Sequence, residues 1–319
     1  LQNPLGFGRG DFNLKMIIES RPVKLTTRTG IEVRRTLPHR DLKMIGPWCF
    51  VDHFGPTPQT DGMVVAAHPH TGLQTVTWLL EGAIEHRDSI GSVQRIEPGQ
   101  LNLMTAGHGI SHSELSLRGP QNLHAVQLWV ALPKASIDVA PEFEHQANLP
   151  KVIGDGFGVT VLAGTFMGQK APTKTFSPMV GAEIRIEAGQ TFHIELDPGY
   201  EYGLQVVEGK ASVSEPGDAP HEVGRSDLYV THAGQTSATI TALDEDLVVM
   251  LLGGAPFGEK ILMWWNFIAR TQAEITQQRE QWNQHLETEA GLARFGSFED
   301  QIGGWIPAPE LPNVTLSAR

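Results

Sequence analysis

The sequence predicts an all-β chain: two β-barrels or jelly rolls in tandem, with a few short helices and an extended C-terminal tail. Three observations carry this. Short segments of alternating apolar and polar residues are divided by turns, and 34 glycines and 21 prolines supply the turn residues. An internal echo recurs at about 127 residues, the mark of a duplicated unit. The length of 319 residues fits two domains at ~150 residues each.

The first barrel is expected over residues 14–145. Leu73-Gln74-Thr75-Val76-Thr77-Trp78-Leu79-Leu80 alternates as a half-buried strand does and is closed by Glu81-Gly82. Pro98-Gly99 marks a turn between Val93-Gln94-Arg95-Ile96 and Leu101-Asn102-Leu103-Met104. Val126-Gln127-Leu128-Trp129-Val130 alternates again and ends at Leu132-Pro133. Four prolines make 136–180 a connecting stretch, with one strand at Val159-Thr160-Val161-Leu162.

The second barrel is expected over 150–300, its strands concentrated in 181–254. Val206-Val207-Glu208-Gly209 echoes Leu79-Leu80-Glu81-Gly82, and Gly224-Arg225-Ser226-Asp227-Leu228 falls where the first block has Pro98-Gly99-Gln100-Leu101. Ile275, Trp282 and Leu286 form a narrow apolar stripe that predicts a surface helix over 271–288. The tail, 301–319, contains Ile306-Pro307-Ala308-Pro309-Glu310-Leu311-Pro312 and is expected to lie extended on a surface.

Composition narrows the function classes. With 40% hydrophobic and 19% charged residues, a packed core is expected rather than disorder. The formal charge of −12, without a Lys/Arg cluster, argues against direct nonspecific nucleic-acid binding, which needs clustered cations to neutralise phosphates. The single cysteine, Cys49, excludes a disulfide framework within the chain, and its apolar setting (Trp48-Cys49-Phe50-Val51) suits a buried inert thiol. No apolar run approaches the ~18 residues of a membrane span, and Leu1-Gln2-Asn3-Pro4 has neither a basic nor an apolar leader character. A cytoplasmic monomer is expected.

The chemistry concentrates in His68-Pro69-His70 and His112-Ser113-Glu114. Each is an i, i+2 pair, and a strand points i and i+2 to the same face. Two such strands lining a barrel would converge four ligands. Pro69 cannot donate to a ladder, so its strand should start there or run along an edge. Three imidazoles and one carboxylate, with no thiolate, suit a first-row transition metal with open positions for water or substrate. Fe(II) is the expected ion; Mn, Ni, Co, Cu and Zn accept the same donors, although four protein ligands more often describe a closed zinc site. The glycines of Thr105-Ala106-Gly107-His108-Gly109-Ile110 suit a turn or bulge that brings backbone close to a site.

These strings resemble the pirin family. Gly62, five residues, then His68-Pro69-His70 resembles the first cupin motif. His68-Pro69-His70-Thr71-Gly72-Leu73-Gln74-Thr75-Val76 and Met104-Thr105-Ala106-Gly107-His108-Gly109-Ile110-Ser111-His112-Ser113-Glu114 look like two pirin signature stretches, and His124-Ala125-Val126-Gln127-Leu128-Trp129-Val130 a third. The likeness is dense over roughly 30–135. It implies a bicupin: two cupin-type barrels, with one metal ion in the first held by His68, His70, His112 and Glu114. Ordinary cupins take their carboxylate from the first motif; here Gln74 and Thr75 stand there, and, as in pirins, Glu114 supplies it. The second block has no His-x-His. Glu195-Leu196-Asp197-Pro198 lies near the equivalent place and no His-x-Glu follows Asp227-Leu228, so that barrel is expected to hold no metal and to serve packing and pocket closure.

The resemblance implies a quercetin 2,3-dioxygenase activity, opening a flavonol ring with O2 and releasing carbon monoxide, with Glu114 as the base that accepts the hydroxyl proton. The alternative it implies is a non-enzymatic, redox-sensing regulator that binds a transcription factor or a metabolic enzyme. Lesser candidates are His53 at a pocket mouth, Asp52 in a capping or turn role, and His108 and Gln127 as partners orienting a ligand imidazole. His86 is read as a surface residue, and Trp264-Trp265 as core.

Overall fold

A computed structural model describes residues 17–25, 32–58, 63–117, 122–299 and 302–318. Gly62 of the first motif and the N-terminal residues before 17 lie outside them.

The chain is all-β, with two short α-helices among the described residues, and forms two β-barrels. In chain order the strands of the first half are β1 (Ile17–Ile18), β2 (Arg21–Lys24), β3 (Glu32–Leu37), β4 (Trp48–Pro58), β5 (Val64–His70), β6 (Leu73–Glu81), β7 (Ile84–Asp88), β8 (Val93–Ile96), β9 (Leu101–Thr105), β10 (Ile110–Ser116), β11 (Asn122–Ala131) and β12 (Glu142–Gln146). The first barrel faces a seven-stranded sheet, β12-β9-β6-β11-β4-β3-β2, with a four-stranded one, β5-β10-β7-β8.

The second barrel repeats this order. Its large sheet runs Leu228–Val230, Glu201–Glu208, Leu247–Gly254, Met179–Ile186, Phe157–Ala163, Lys151–Gly154, matching β9-β6-β11-β4-β3-β2 strand for strand. The echoed Glu81-Gly82 and Glu208-Gly209 end equivalent strands, each glycine taking a positive φ. One edge departs from the expected boundaries: β1 pairs with Leu228–Val230 and so completes the second barrel. β12, at the end of the expected first-barrel span, pairs with β9 and completes that barrel.

The two large sheets pack face to face. Along β6, Val76 and Trp78 point to this seam; across it lie Leu162, Val248 and Met250. Trp48 donates Nε1–H to Val180 and Gly253 carbonyls, and Trp78 donates to Glu183 Oε2 at 2.8 Å. Because these strands are covered on both faces, they are buried almost throughout rather than at alternate positions. The alternation still sorts them: on β4, Phe50, Asp52 and Phe54 face the first barrel's interior, and His53 faces the seam.

The second barrel's interior is filled by apolar side chains, among them Phe192, Ile194, Leu204, Val206, Tyr229 and Ile240. Glu195, near the place equivalent to the first His pair, is exposed. The first barrel instead encloses a cavity of about 260 Å³.

The C-terminal arm folds back onto the first barrel. Strands Leu262–Trp264 and Phe267–Ala269 and helices α1 (Gln272–Asn283) and α2 (Glu289–Phe295) follow the second barrel in sequence but pack on the first. Ile268 donates its N–H to Thr71 O, Ser111 donates to Phe295 O, and Arg270 to Leu132 O. The expected single helix ends at Asn283, and Leu286 is exposed, so the apolar stripe stops at Trp282. A capping box between Thr271 and Glu274 starts α1. The tail is extended, as expected: Ile306 donates to Ala67 O and Ala308 is buried beside α1.

Candidate metal centre

β10 runs between β5 and β7. His112 is paired with His68 on one side and with Asp88 on the other; Glu114 is paired with Val65 and with His86. β5 is an edge strand of its sheet, which accommodates Pro69. The register shifts between His112 and Glu114 where β10 meets β5. This irregularity re-aims the carboxyl relative to the imidazole two residues before it.

His68, His70 and His112 converge. Their ring centroids lie 4.3–5.1 Å apart, and one nitrogen from each falls within 4.8 Å of the others. All three are buried. His68 Nδ1 donates to the Ala66 carbonyl at 2.9 Å, which leaves its Nε2 as a lone pair. His70 Nδ1 and His112 Nε2 are buried with no hydrogen-bond partner. Burial, reinforced by the neighbouring imidazoles, pulls His70 and His112 well below the ordinary histidine range, and burial brings His68 down to about 4. The cluster is therefore three neutral imidazoles, two of them with unsatisfied buried nitrogens, and a cation meets that requirement.

Glu114 is placed beside this cluster rather than within it. Its carboxyl groups with His112 and His86. Burial raises its pKa, with His86 and Thr77 opposing. The four side chains thus share one barrel face, with His112 common to the three-imidazole group and to the group that contains Glu114.

Two residues here were not among the sequence candidates. His86, read from sequence as a surface residue, is buried: its ring stacks on Phe143 at 4.5 Å, and its Nδ1 lies 3.3 Å from His112 Nδ1. Asp88, also buried, accepts from His86 Nε2 at 3.0 Å. His86-Arg87-Asp88 is itself an i, i+2 pair, so the signal that picked out the ligand pairs was present there too. The cavity wall adds Arg35, which grips Asp52 with two hydrogen bonds of 2.6 and 2.7 Å and stacks over Phe50. Phe50 in turn stacks on Trp129, whose ring meets the edge of His70.

The lesser candidates are rearranged. Asp52, not His53, lines the cavity, because adjacent strand residues face opposite ways. Gln127 lines it and accepts from Thr77 at 3.0 Å. His108 stands away from the cavity lining, its N–H on Val139 O. Gly107 lies so close to that carbonyl that a Cβ would fall 1.9 Å from it; this glycine serves chain packing, not ligand approach. Trp265, expected in the core, lines the cavity with Asn266 and Ile306, so the C-terminal arm rather than the second barrel closes the pocket. Cys49 is buried and its thiol is pushed up to about 12, which keeps it unreactive.

Comparison with known proteins agrees with this architecture. A Pseudomonas aeruginosa protein provisionally named a quercetin 2,3-dioxygenase is 43% identical over 290 residues, covering 89% of this chain and 87% of that one. A crystal structure of quercetin 2,3-dioxygenase from Acinetobacter baumannii superposes with a TM-score of 0.86 at 39% identity, covering 95% and 97% of the two chains. A bacterial pirin from Escherichia coli, solved in complex with nickel(II), shares the fold at 20% identity, with a TM-score of 0.58 and 75% and 98% coverage. Residues 30–130 match the Pirin family and residues 181–286 the pirin C-terminal cupin domain. With both barrels matched and a 43% relative spanning nearly its whole length, the chain belongs to the pirin family.

Proposed function

We propose that the first barrel holds one divalent transition-metal ion through His68, His70 and His112, with Glu114 as the fourth donor, and that the protein is a quercetin 2,3-dioxygenase-type oxygenase. The observation that carries this is the set of three converging buried imidazoles, two of them with unpartnered nitrogens, opening on a cavity of about 260 Å³. Imidazole and carboxylate donors suit iron(II), manganese, cobalt, nickel or copper. The nickel in the Escherichia coli pirin and the quercetinase name of the Acinetobacter baumannii structure support the reading.

When bound, such an ion would supply Lewis-acid polarisation of a substrate oxygen. The chain's own residues do the rest. Phe50, Trp129, Phe54 and Val65 give the cavity an apolar wall that accepts a flat aromatic ring and keeps water out. Glu114, with a carboxylate oxygen released from the ion, accepts the proton of the flavonol hydroxyl on that oxygen. The electron-rich flavonolate then reacts with O2, both oxygen atoms entering the ring-opened ester while one ring carbon leaves as carbon monoxide.

The test is metal analysis of protein purified without chelators, followed by oxygen uptake and carbon monoxide release with quercetin. Near one metal per chain, with turnover that His70→Ala abolishes, is the expected result. Bound metal without uptake across a flavonoid panel would favour the metal-dependent regulator instead.

A further inference from the structure

The three proposed metal-binding imidazoles are not equally supported. His68 has its Nδ1 fixed by a backbone carbonyl. His112 has a longer arrangement behind it. Asp88 is buried and accepts three hydrogen bonds: from Ile90 N–H at 3.1 Å, from Ser92 N–H at 2.9 Å and from His86 Nε2 at 3.0 Å. The two backbone bonds hold Oδ1 on the turn after β7, which leaves Oδ2 facing His86. Phe143 stacks on the His86 ring and sets its plane. Beyond it, His86 Nδ1 meets His112 Nδ1 at 3.3 Å, and His112 Nε2 is buried and unpartnered at the three-imidazole cluster.

Resting on the metal reading above, we propose that Asp88 and His86 form a positioning dyad that holds His112 in the tautomer able to bind a metal. Donors and acceptors along the line fix the tautomers. A carboxylate only accepts, so His86 carries its proton on Nε2. Singly protonated, His86 presents a lone pair at Nδ1, and His112 places its own proton on Nδ1 to meet it. Its Nε2 is left bare, facing His68 and His70. Register alone builds this line: β7 pairs with β10 so that Asp88 stands opposite His112 and His86 opposite Glu114. Partners of this kind orient ligand imidazoles and raise their basicity, and losing them lowers metal affinity by about 10–100-fold.

Asp88→Asn tests the dyad with little change of shape. The amide oxygen can still cap Ile90 and Ser92, but its NH2 now points at His86. His86 must then accept at Nε2 and donate from Nδ1, and His112 must accept at Nδ1 and carry its proton on Nε2. The experiment has two arms on the full chain. Nitrogen-15 NMR of chelator-treated protein reads the tautomers directly: the wild type should show His112 protonated at Nδ1, and Asp88→Asn should show it protonated at Nε2. Titration with nickel(II) alone should show Asp88→Asn and His86→Leu weaker by about 10–100-fold. His86→Asn, which can set an amide oxygen near the place of Nδ1, should recover much of the loss.

A wild-type His112 protonated at Nε2 would overturn the proposal, as would nickel(II) affinity within threefold of wild type in Asp88→Asn and His86→Leu. If the wild type itself binds no nickel(II), the metal reading fails, while the tautomer arm still decides the dyad. Should Asp88→Asn fail to fold, the wild-type tautomer and the two His86 variants decide it.

Discussion

His53 and His124 meet Nε2 to Nε2 at 2.8 Å, and that bond is the middle of a chain joining the two barrels. On one side Ser226 of the second barrel lies 2.7 Å from His53 Nδ1; on the other, Glu208 lies 3.1 Å from His124 Nδ1. Glu208 can only accept, so the proton order is set throughout: Ser226 hydroxyl to His53, His53 to His124, His124 to Glu208. Ser226 sits at φ 70° and is held there by its N–H on Val206 O and by Gln205 on its carbonyl.

This chain makes the seam sensitive to acid. Burial, with His124 and Arg225 adding to it, pulls His53 down to about 3; burial, with Arg225 and Arg185 adding and Glu81 opposing, pulls His124 to about 4. Both folded values lie below the unfolded value near 6.5, so the unfolded chain binds more protons between them. Stability is unaffected by the pair above pH ~6.5 and falls as pH drops through the window toward 4 and then 3. Each group adds up to about 1.4 kcal/mol per pH unit to that slope. His124→Gln should flatten it by about one group's share, read as unfolding free energy at pH 7, 6, 5 and 4.5. An unchanged slope would show that the histidine pair does not titrate with folding.

A second prediction concerns Arg35 and Asp52 in the cavity wall. Asp52 is 3% exposed, and Arg35 supplies both of its short bonds. Arg35→Met leaves a buried carboxylate without its cation and should cost about 3–5 kcal/mol in urea unfolding at pH 7. Arg35→Met with Asp52→Asn should recover much of that loss, since the uncompensated charge is gone. If the double variant is no better than the single, packing of the guanidinium on Phe50 rather than charge accounts for the loss.

Much of this was legible in the sequence, and the division follows from range. The i, i+2 histidines were legible because strand geometry is local: a period of two sends His68 and His70 to one face whatever lies opposite. The duplication was legible because strand-ending Glu-Gly pairs recur at equivalent positions. His86 was not legible as a neighbour of His112, because that contact depends on β7–β10 register. Nor was the placement of Glu114, which turns on the register shift after His112. The arm carrying Trp265 follows the second barrel in sequence, and only tertiary packing returns it to the first barrel's cavity.

The two barrels should therefore respond differently to injury. Ile240 is fully buried in the second barrel's interior, among Val206, Leu204 and Val213. Ile240→Ala should cost about 2–5 kcal/mol through lost burial and the cavity left behind. Metal content per folded chain should stay at the wild-type level. A parallel loss of metal would mean that the second barrel's core sets the geometry of the first barrel's imidazoles.

The last prediction isolates the base. Glu114 lies with His86 and His112, so its replacement by the isosteric amide changes charge and proton affinity more than shape. Glu114→Gln cannot accept the flavonol proton. General-base contributions of this kind are worth about 100–10,000-fold, so kcat for quercetin should fall by that range. Flavonol binding, which rests on the apolar wall at Phe50 and Trp129, should hold within a few-fold when followed by fluorescence quenching. Metal content must be measured alongside. A variant that keeps its metal and loses turnover assigns Glu114 to proton transfer, and one that loses both assigns it to the donor set. Full turnover with metal retained would remove Glu114 from the mechanism.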